Sequence, residues 1–148
     1  MDETYNSSPL AAKAALDVLY GLQAPQKIAV LGNMNELGTF AKAAHIEVGE
    51  YCNPEHLDIV LTLGPEANKY LAPAARAKGC QVKTFQTPYE VGEFLRSHIQ
   101  PNAVVLVKGS QNKVFAEEAI KLILANPADA ERLVRQSPAW LKKKARNF

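Results

Sequence analysis

Four short apolar runs, separated by stretches with helical periodicity, constrain this chain more than any other feature. They are Ile28-Ala29-Val30-Leu31, Ile59-Val60-Leu61-Thr62-Leu63, Val82 to Phe85 and Val104-Val105-Leu106-Val107. Three of them are nearly continuous in apolar residues rather than alternating. A strand with one wet face alternates, whereas a strand buried on both faces does not. The runs therefore read as strands of a parallel sheet covered by helices on both sides.

The stretches between them supply the helices. Ser8 as N-cap and Pro9 at the first helical position open one helix, with an expected apolar stripe at Ala11, Ala15, Val18 and Leu19. Phe40, Ala44, Val48 and Tyr51 recur at helical spacing, and Glu66 to Lys78 is rich in Ala and Leu before a stop at Gly79. Thr87-Pro88 opens another helix that runs to about His98, and Phe115, Ala119, Leu122 and Ile123 mark the next. The order is one helix, then βα four times, then a tail. Such alternation implies an α/β domain with a mostly parallel sheet, whose ligands sit beyond the carboxyl ends of the strands. Segments 32–38, 64–65, 86–88 and 108–113 are the ones that matter for function. No strand is expected before the first helix, where Asp2-Glu3-Thr4-Tyr5-Asn6 reads as a polar loop. That suggests a missing upstream part and Met1 as an added start codon.

Length and composition fit this picture. The 148 residues suit a single domain, and 47% hydrophobic with 22% charged residues excludes a disordered or fibrous chain. No run of about 18 apolar residues exists to span a bilayer. Met1-Asp2-Glu3 lacks the basic start of a signal peptide. Cys52 and Cys80 carry no partner motif and are expected as free thiols. Residues 127–148 hold Arg132, Arg135, Lys142, Lys143, Lys144 and Arg146 against Asp129 and Glu131, a net charge of +4. A basic tail suits contact with nucleic acid or anionic lipid, and it equally suits a solvated helix end.

Several chemistries are not written here. There is no G-x-x-x-x-G-K-[ST], no G-x-G-x-x-G and no G-x-S-x-G. His45, His56 and His98 lack metal-ligand spacing. Three segments still read as functional candidates beside ordinary structural roles. Asp2 to Pro9 runs into a helix N-terminus, which favours anions, although capping by Ser8 explains it as well. Gly32-Asn33-Met34-Asn35-Glu36-Leu37-Gly38 follows the first apolar run, where backbone N–H groups would approach a ligand, or where the chain simply turns. Lys108-Gly109-Ser110-Gln111-Asn112 follows the last run and offers a cation, a close backbone and a hydroxyl, or a surface turn.

These segments together resemble the Mur ligase family. Asp2-Glu3-Thr4-Tyr5-Asn6-Ser7-Ser8-Pro9 is similar to D-D-T-Y-N-A-N-P, and Val30 to Gly38 to V-L-G-D-M-x-E-L-G. His45-Ile46-Glu47-Val48-Gly49 matches H-x-x-V-G, and Val105 to Ser110 matches V-L-V-K-G-S. The resemblance covers about residues 2–125 and lies with the branch that joins D-alanyl-D-alanine to UDP-N-acetylmuramoyl-tripeptide. It implies a Rossmann-like three-layer α/β domain over 1–126, the C-terminal part of a three-domain cytoplasmic enzyme of peptidoglycan precursor synthesis. Residues 127–148 would be a basic extension, partly helical. The ligase uses ATP and Mg2+, held mainly by the central domain. It makes an acyl phosphate, and this domain presents the incoming dipeptide. No nucleic-acid partner and no membrane insertion are implied, and the segment alone is expected to be inactive.

Carried over by motif, Glu3, Tyr5 and Asn6 are nucleotide-side candidates. Asn33, Glu36, Lys108, Gly109 and Ser110 are dipeptide- or phosphate-side candidates. No residue of the segment is implied as catalytic or metal-binding. The chain departs from the family pattern with Glu3 for Asp, Ser8 for Asn and Asn33 for Asp. It also has Gln111 where Arg is usual, leaving Lys113 as the nearest base. Two other readings are a stand-alone non-catalytic binding module and a related ligase adding a different amino acid. The latter has a D-Y-A-H type opening that is not seen here.

Overall fold

The computed structural model describes residues 1–3, 7–110 and 113–147, with the backbone alone for Asp2 and Glu3. Five strands form one sheet: β1 (Asp2–Glu3), β2 (Lys27–Gly32), β3 (Ile59–Leu63), β4 (Val82–Phe85) and β5 (Val104–Lys108). Their order is β1-β5-β2-β3-β4, and every pair is parallel. The helices are α1 (Pro9–Gly21), α2 (Ala41–Tyr51), α3 (Ala72–Ala77), α4 (Pro88–His98), α5 (Glu117–Lys121) and α6 (Pro138–Lys144). Short 3-10 turns occupy Gly38–Phe40 and Pro127–Arg132, and a π turn at Ala67–Leu71 leads into α3.

The continuous apolar runs arise from burial on both faces. Within β2, Ala29 and Leu31 enter a core with Ala12, Leu16 and Leu19 of α1 and Val48 of α2. Ile28 and Val30 point the other way, into a core with Val91 and Leu95 of α4 and Ala119 of α5. The period of two thus sends neighbouring residues to opposite cores, and neither position is free to be polar.

The structure corrects three expectations. The chain does open with a strand, since Asp2 and Glu3 pair with Val107 and Lys108 of β5. Two residues joined through the backbone leave no side-chain pattern to read. The buried stripe of α1 is Ala12, Ala15, Leu16 and Leu19, while Val18 is 54% exposed. A stripe at i, i+3, i+4, i+7 from Ala12 is the one that faces the sheet. Phe40 (74% exposed) and Tyr51 (37%) lie off the core face of α2, where Ala44, His45, Val48 and Gly49 are buried instead. Cys52 and Cys80 are free and buried, and burial pushes the Cys52 thiol up to about 12. No helix among the described residues is long and apolar enough to cross a membrane.

The cap of α4 is a reciprocal box. Thr87 Oγ1 accepts from Glu90 N–H, while the Glu90 carboxylate accepts from the N–H groups of Thr87 and Gln86 at 2.9 and 2.8 Å. Those bonds, Thr87 first and Gln86 second, hold the Glu90 carboxyl below its ordinary 4.5. The sign follows from linkage: the cap's contribution is complete above 4.5 and is lost as pH falls through the lower folded value. A carbon-detected NMR titration is expected to place the Glu90 midpoint below 4.5. A midpoint at or above that value would show that the box is not formed in solution.

Candidate functional site

The strand order places a switch point between β2 and β5. From β2 the chain proceeds outward through β3 to β4, then returns to the other side of β2 with β5. In open parallel sheets, ligands bind at the carboxyl ends of the strands flanking such a point. The loops there are 33–37 after β2 and the segment from Gly109 after β5. They carry four of the sequence candidates, Asn33, Glu36, Gly109 and Ser110, and a fifth, Lys108, ends β5.

The two loops clasp each other. Ser110 N–H donates to Asn33 O at 3.0 Å, and Asn35 N–H donates to Ser110 Oγ at 2.8 Å. Asn33 N–H reaches across to Leu63 O at 3.0 Å, and Asn33 Oδ1 accepts from Ala67 N–H at 2.9 Å. Asn33 therefore ties the ends of β2, β3 and β5 together. Its amide lies over Gly64, whose φ of +97° suits glycine and where a Cβ would stand 2.8 Å from Asn33 Oδ1. Met34 N–H donates to His45 Nε2 at 3.0 Å. The backbone N–H groups of Asn33, Met34 and Asn35 are thus all engaged within the protein, and none of the three is left for a ligand. Of the two readings of this segment, the bonds favour a turn held by the protein itself.

The crevice itself is filled. Gly32 and Gly109 close the two strands against each other, and Val114 packs over both. A Cβ on Gly32 would fall 2.6 Å from Val114 Cγ1 and 3.4 Å from Gly109 Cα. Gly32→Ala is therefore expected to destabilise the fold by about 1–3 kcal/mol through overpacking. Adding Val114→Ala should return much of that loss in urea unfolding, because the clash has a single main partner. Equal losses in the single and double variants would refute the close packing.

Lys108 is 4% exposed and lies on the same face of β5 as Leu106. Together with Ser7, Ala12, Met34 and Val48 it encloses a space too small for a water molecule. It does not stand out from the strand end as a free surface charge. Its register partner is Glu3 in β1, which brings the backbone of the opening motif beside it. Ser110, at 2% exposure, works as a loop bridge. Of the described candidates only Glu36 stands at the surface, with the left-handed φ of +64°. Tyr5, Asn6 and Gln111 lie outside the described residues. Lys113 also adopts a left-handed φ of +64° and is exposed.

Sequence reasoning missed two sets of residues. His45 is 0% exposed, and its ring joins the site loop to the first turn of α2. It sat in a matched motif, so only its role went unread. The second set is the ion cluster Glu117, Glu118, Arg135 and Lys144, all buried. Glu117 is held by a fork from Arg135, with Nε at 2.9 Å and NH2 at 2.7 Å, and by Lys144 at 2.9 Å. Glu118 accepts from Lys144 at 2.6 Å and pairs with Lys121 at 3.0 Å. Two of the tail's six cations are therefore spent inside the protein, which weakens the case for a basic binding surface. Adjacent acids next to buried Ala116 and Ala119 were the available signal.

Residues 3–111 match the family model described as Mur ligase, glutamate ligase domain. The UDP-N-acetylmuramoyl-tripeptide–D-alanyl-D-alanine ligase of Haemophilus influenzae is 37% identical over 114 residues, covering 76% of this chain and 24% of that protein. The ligase of that name from Synechocystis is 31% identical over 127 residues, covering 86% and 28%. The solved MurF ligase of Thermotoga maritima in complex with ADP superposes with a TM-score of 0.67 at 28% identity, covering 87% of this chain and 28% of that one. A MurF structure from Acinetobacter baumannii gives 0.65 at 25% identity, covering 79% and 26%. The chain thus spans about a quarter of the length of the curated relatives it matches. With the model matched across both loops of the clasp, this chain belongs to the Mur ligase family.

Proposed function

We propose that this chain is the acceptor-side domain of an ATP-dependent ligase that joins D-alanyl-D-alanine to UDP-N-acetylmuramoyl-tripeptide. The observation that carries the reading is the clasp. The loops bearing V-L-G-N-M-N-E-L-G and V-L-V-K-G-S meet at the switch point of the sheet, where such folds take ligands. Relatives over most of this chain's length bear that ligase's name.

In this reading the tripeptide carboxylate is activated as an acyl phosphate elsewhere in the enzyme. The dipeptide amine attacks the acyl carbon, the C–O bond to phosphate breaks, and an amide forms. The domain's share is to hold the amine in line and keep water out. The candidates divide by charge. Glu36 is a carboxylate, so it suits the cationic amino end of the dipeptide and repels phosphate. Lys108 suits an anion, either the dipeptide carboxylate or a phosphate. Glu3, Tyr5 and Asn6 are proposed on the nucleotide side, with Glu3 placed beside Lys108 by strand register. Among the described residues no three His, Cys, Asp or Glu side chains gather as a metal site. In this reading Mg2+ and ATP are held mainly by the rest of the enzyme. The clasp's occupied amides favour this division over a complete nucleotide site on the domain.

An NMR titration of this chain with D-alanyl-D-alanine, then with Mg-ATP, tests the proposal. Shifts at Glu36 and at the Lys108–Ser110 amides with the dipeptide are expected. Shifts with Mg-ATP alone would favour a nucleotide-binding module instead. In the full-length enzyme, formation of the pentapeptide product from D-alanyl-D-alanine and no other acceptor is the decisive assay.

A further inference from the structure

We infer that His45 is a positioning residue for the amino end of the acceptor, acting through the loop that presents Glu36. The inference deepens the ligase reading and rests on it. His45 is fully buried, and both ring nitrogens are used. Nε2 accepts from Met34 N–H at 3.0 Å, so the ring proton sits on Nδ1, which donates to Ala41 O at 2.7 Å. The ring thus fastens the loop after β2 to the start of the helix that the same loop enters.

The consequence falls on Glu36. The three preceding N–H groups are fixed in turn by Leu63 O, His45 Nε2 and Ser110 Oγ. Glu36 then takes a left-handed φ of +64° and stands exposed at the rim. A left-handed non-glycine residue is strained, and persists where its surroundings hold it. Glycine would make this turn without that strain. What Glu adds is a carboxylate at the rim of the filled crevice. The bond to Met34 N–H is the one nearest to Glu36 that comes from a side chain of the following helix. Releasing it frees the turn that aims the carboxylate.

A variant series in the full-length ligase tests this, with substitutions His45→Gln, His45→Asn and His45→Ala. Gln carries an acceptor to about the place of Nε2, whereas Asn reaches only to about Nδ1. His45→Ala and His45→Asn are expected to raise the dipeptide KM at least about tenfold with kcat changed by less than about threefold. His45→Gln should restore KM to within about threefold. Glu36→Gln should raise KM to a similar extent, and His45→Ala added to Glu36→Gln should raise it no further, since both act through one carboxylate. Multiplying effects, or equal KM values for the Gln and Asn variants, would overturn the inference. If the wild-type enzyme does not ligate D-alanyl-D-alanine, the ligase reading fails by itself. Amide exchange in this chain then decides His45 alone. Met34 and Asn35 N–H protection kept in His45→Gln and lost in His45→Asn supports the role, and equal protection in both refutes it.

Discussion

Replacing Arg135 with Met is expected to lower the unfolding free energy of this chain by about 3–5 kcal/mol, a large part of the roughly 5–15 available to a domain. The reason is what stays behind. Glu117 is 0% exposed and would keep Lys144 as its remaining salt-bridge partner. Removing one member of a buried ion cluster strands a charge, whereas removing the whole cluster does not. Arg135→Met combined with Glu117→Leu should therefore recover stability relative to Arg135→Met alone. Acidity provides a second readout. Burial pushes the Glu117 carboxyl up, but hydrogen bonds from Arg135 and Lys144 outweigh it and hold the group below 4.5. Its contribution is complete above 4.5 and lost as pH falls through the lower folded value. Without Arg135 the burial effect gains weight, so acid unfolding should begin at higher pH. A loss below about 1 kcal/mol in urea unfolding would mean that the tail is not docked in solution.

That cluster also bears on the site. The segment from Gly109 passes Phe115, which is fully buried with a φ of +45°, before α5 begins at Glu117. An aromatic residue in that conformation needs support. Trp140 provides an edge contact at 6.3 Å between ring centroids, and Lys144 Nζ lies 5.9 Å from the ring. The tail thus fixes the far end of the loop whose near end is clasped to Asn33. Cutting the chain after Asn126 would remove Arg135, Trp140 and Lys144 together and should cost more than the single substitution.

Much of the architecture was legible because burial leaves a mark on side chains. Three of the four runs are apolar at consecutive positions since their strands feed two cores, whereas the edge strand β4 carries exposed Lys83 and Thr84, and Ser8-Pro9 and Thr87-Pro88 announce their helices through the chemistry of capping. What went unread depends on the backbone or on distance along the chain. The two-residue β1 is made of main-chain bonds, and the π turn at Ala67–Leu71 changes hydrogen-bond spacing without changing composition. Arg135 and Glu117 are 18 residues apart, and Lys144 and Glu118 26, so no helical spacing connects them. At the site, motif spacing located both loops. It could not say that Asn33 and Ser110 face each other, nor that Lys108 turns inward beside Leu106.

Lys108→Met in the full-length ligase is expected to lower kcat/KM at least about tenfold, equivalent to roughly 1.4 kcal/mol. Methionine keeps most of the apolar stem, which lines the same small space as Ala12, Met34 and Val48, so the fold should survive the change. The inward position sharpens the expectation. A lysine held at 4% exposure cannot be replaced by bulk salt or by a mobile neighbour, and its charge acts in a poorly screened environment. Its register partner is Glu3, which brings together the backbones of the two motifs proposed for the nucleotide and dipeptide sides. Stability and rate must be read together. A tenfold loss of kcat/KM with urea unfolding changed by less than about 1 kcal/mol places Lys108 in the binding machinery. A parallel loss of both makes it a packing residue of β5. An unchanged rate removes it from the site and leaves Glu36 as the charged residue proposed for the acceptor.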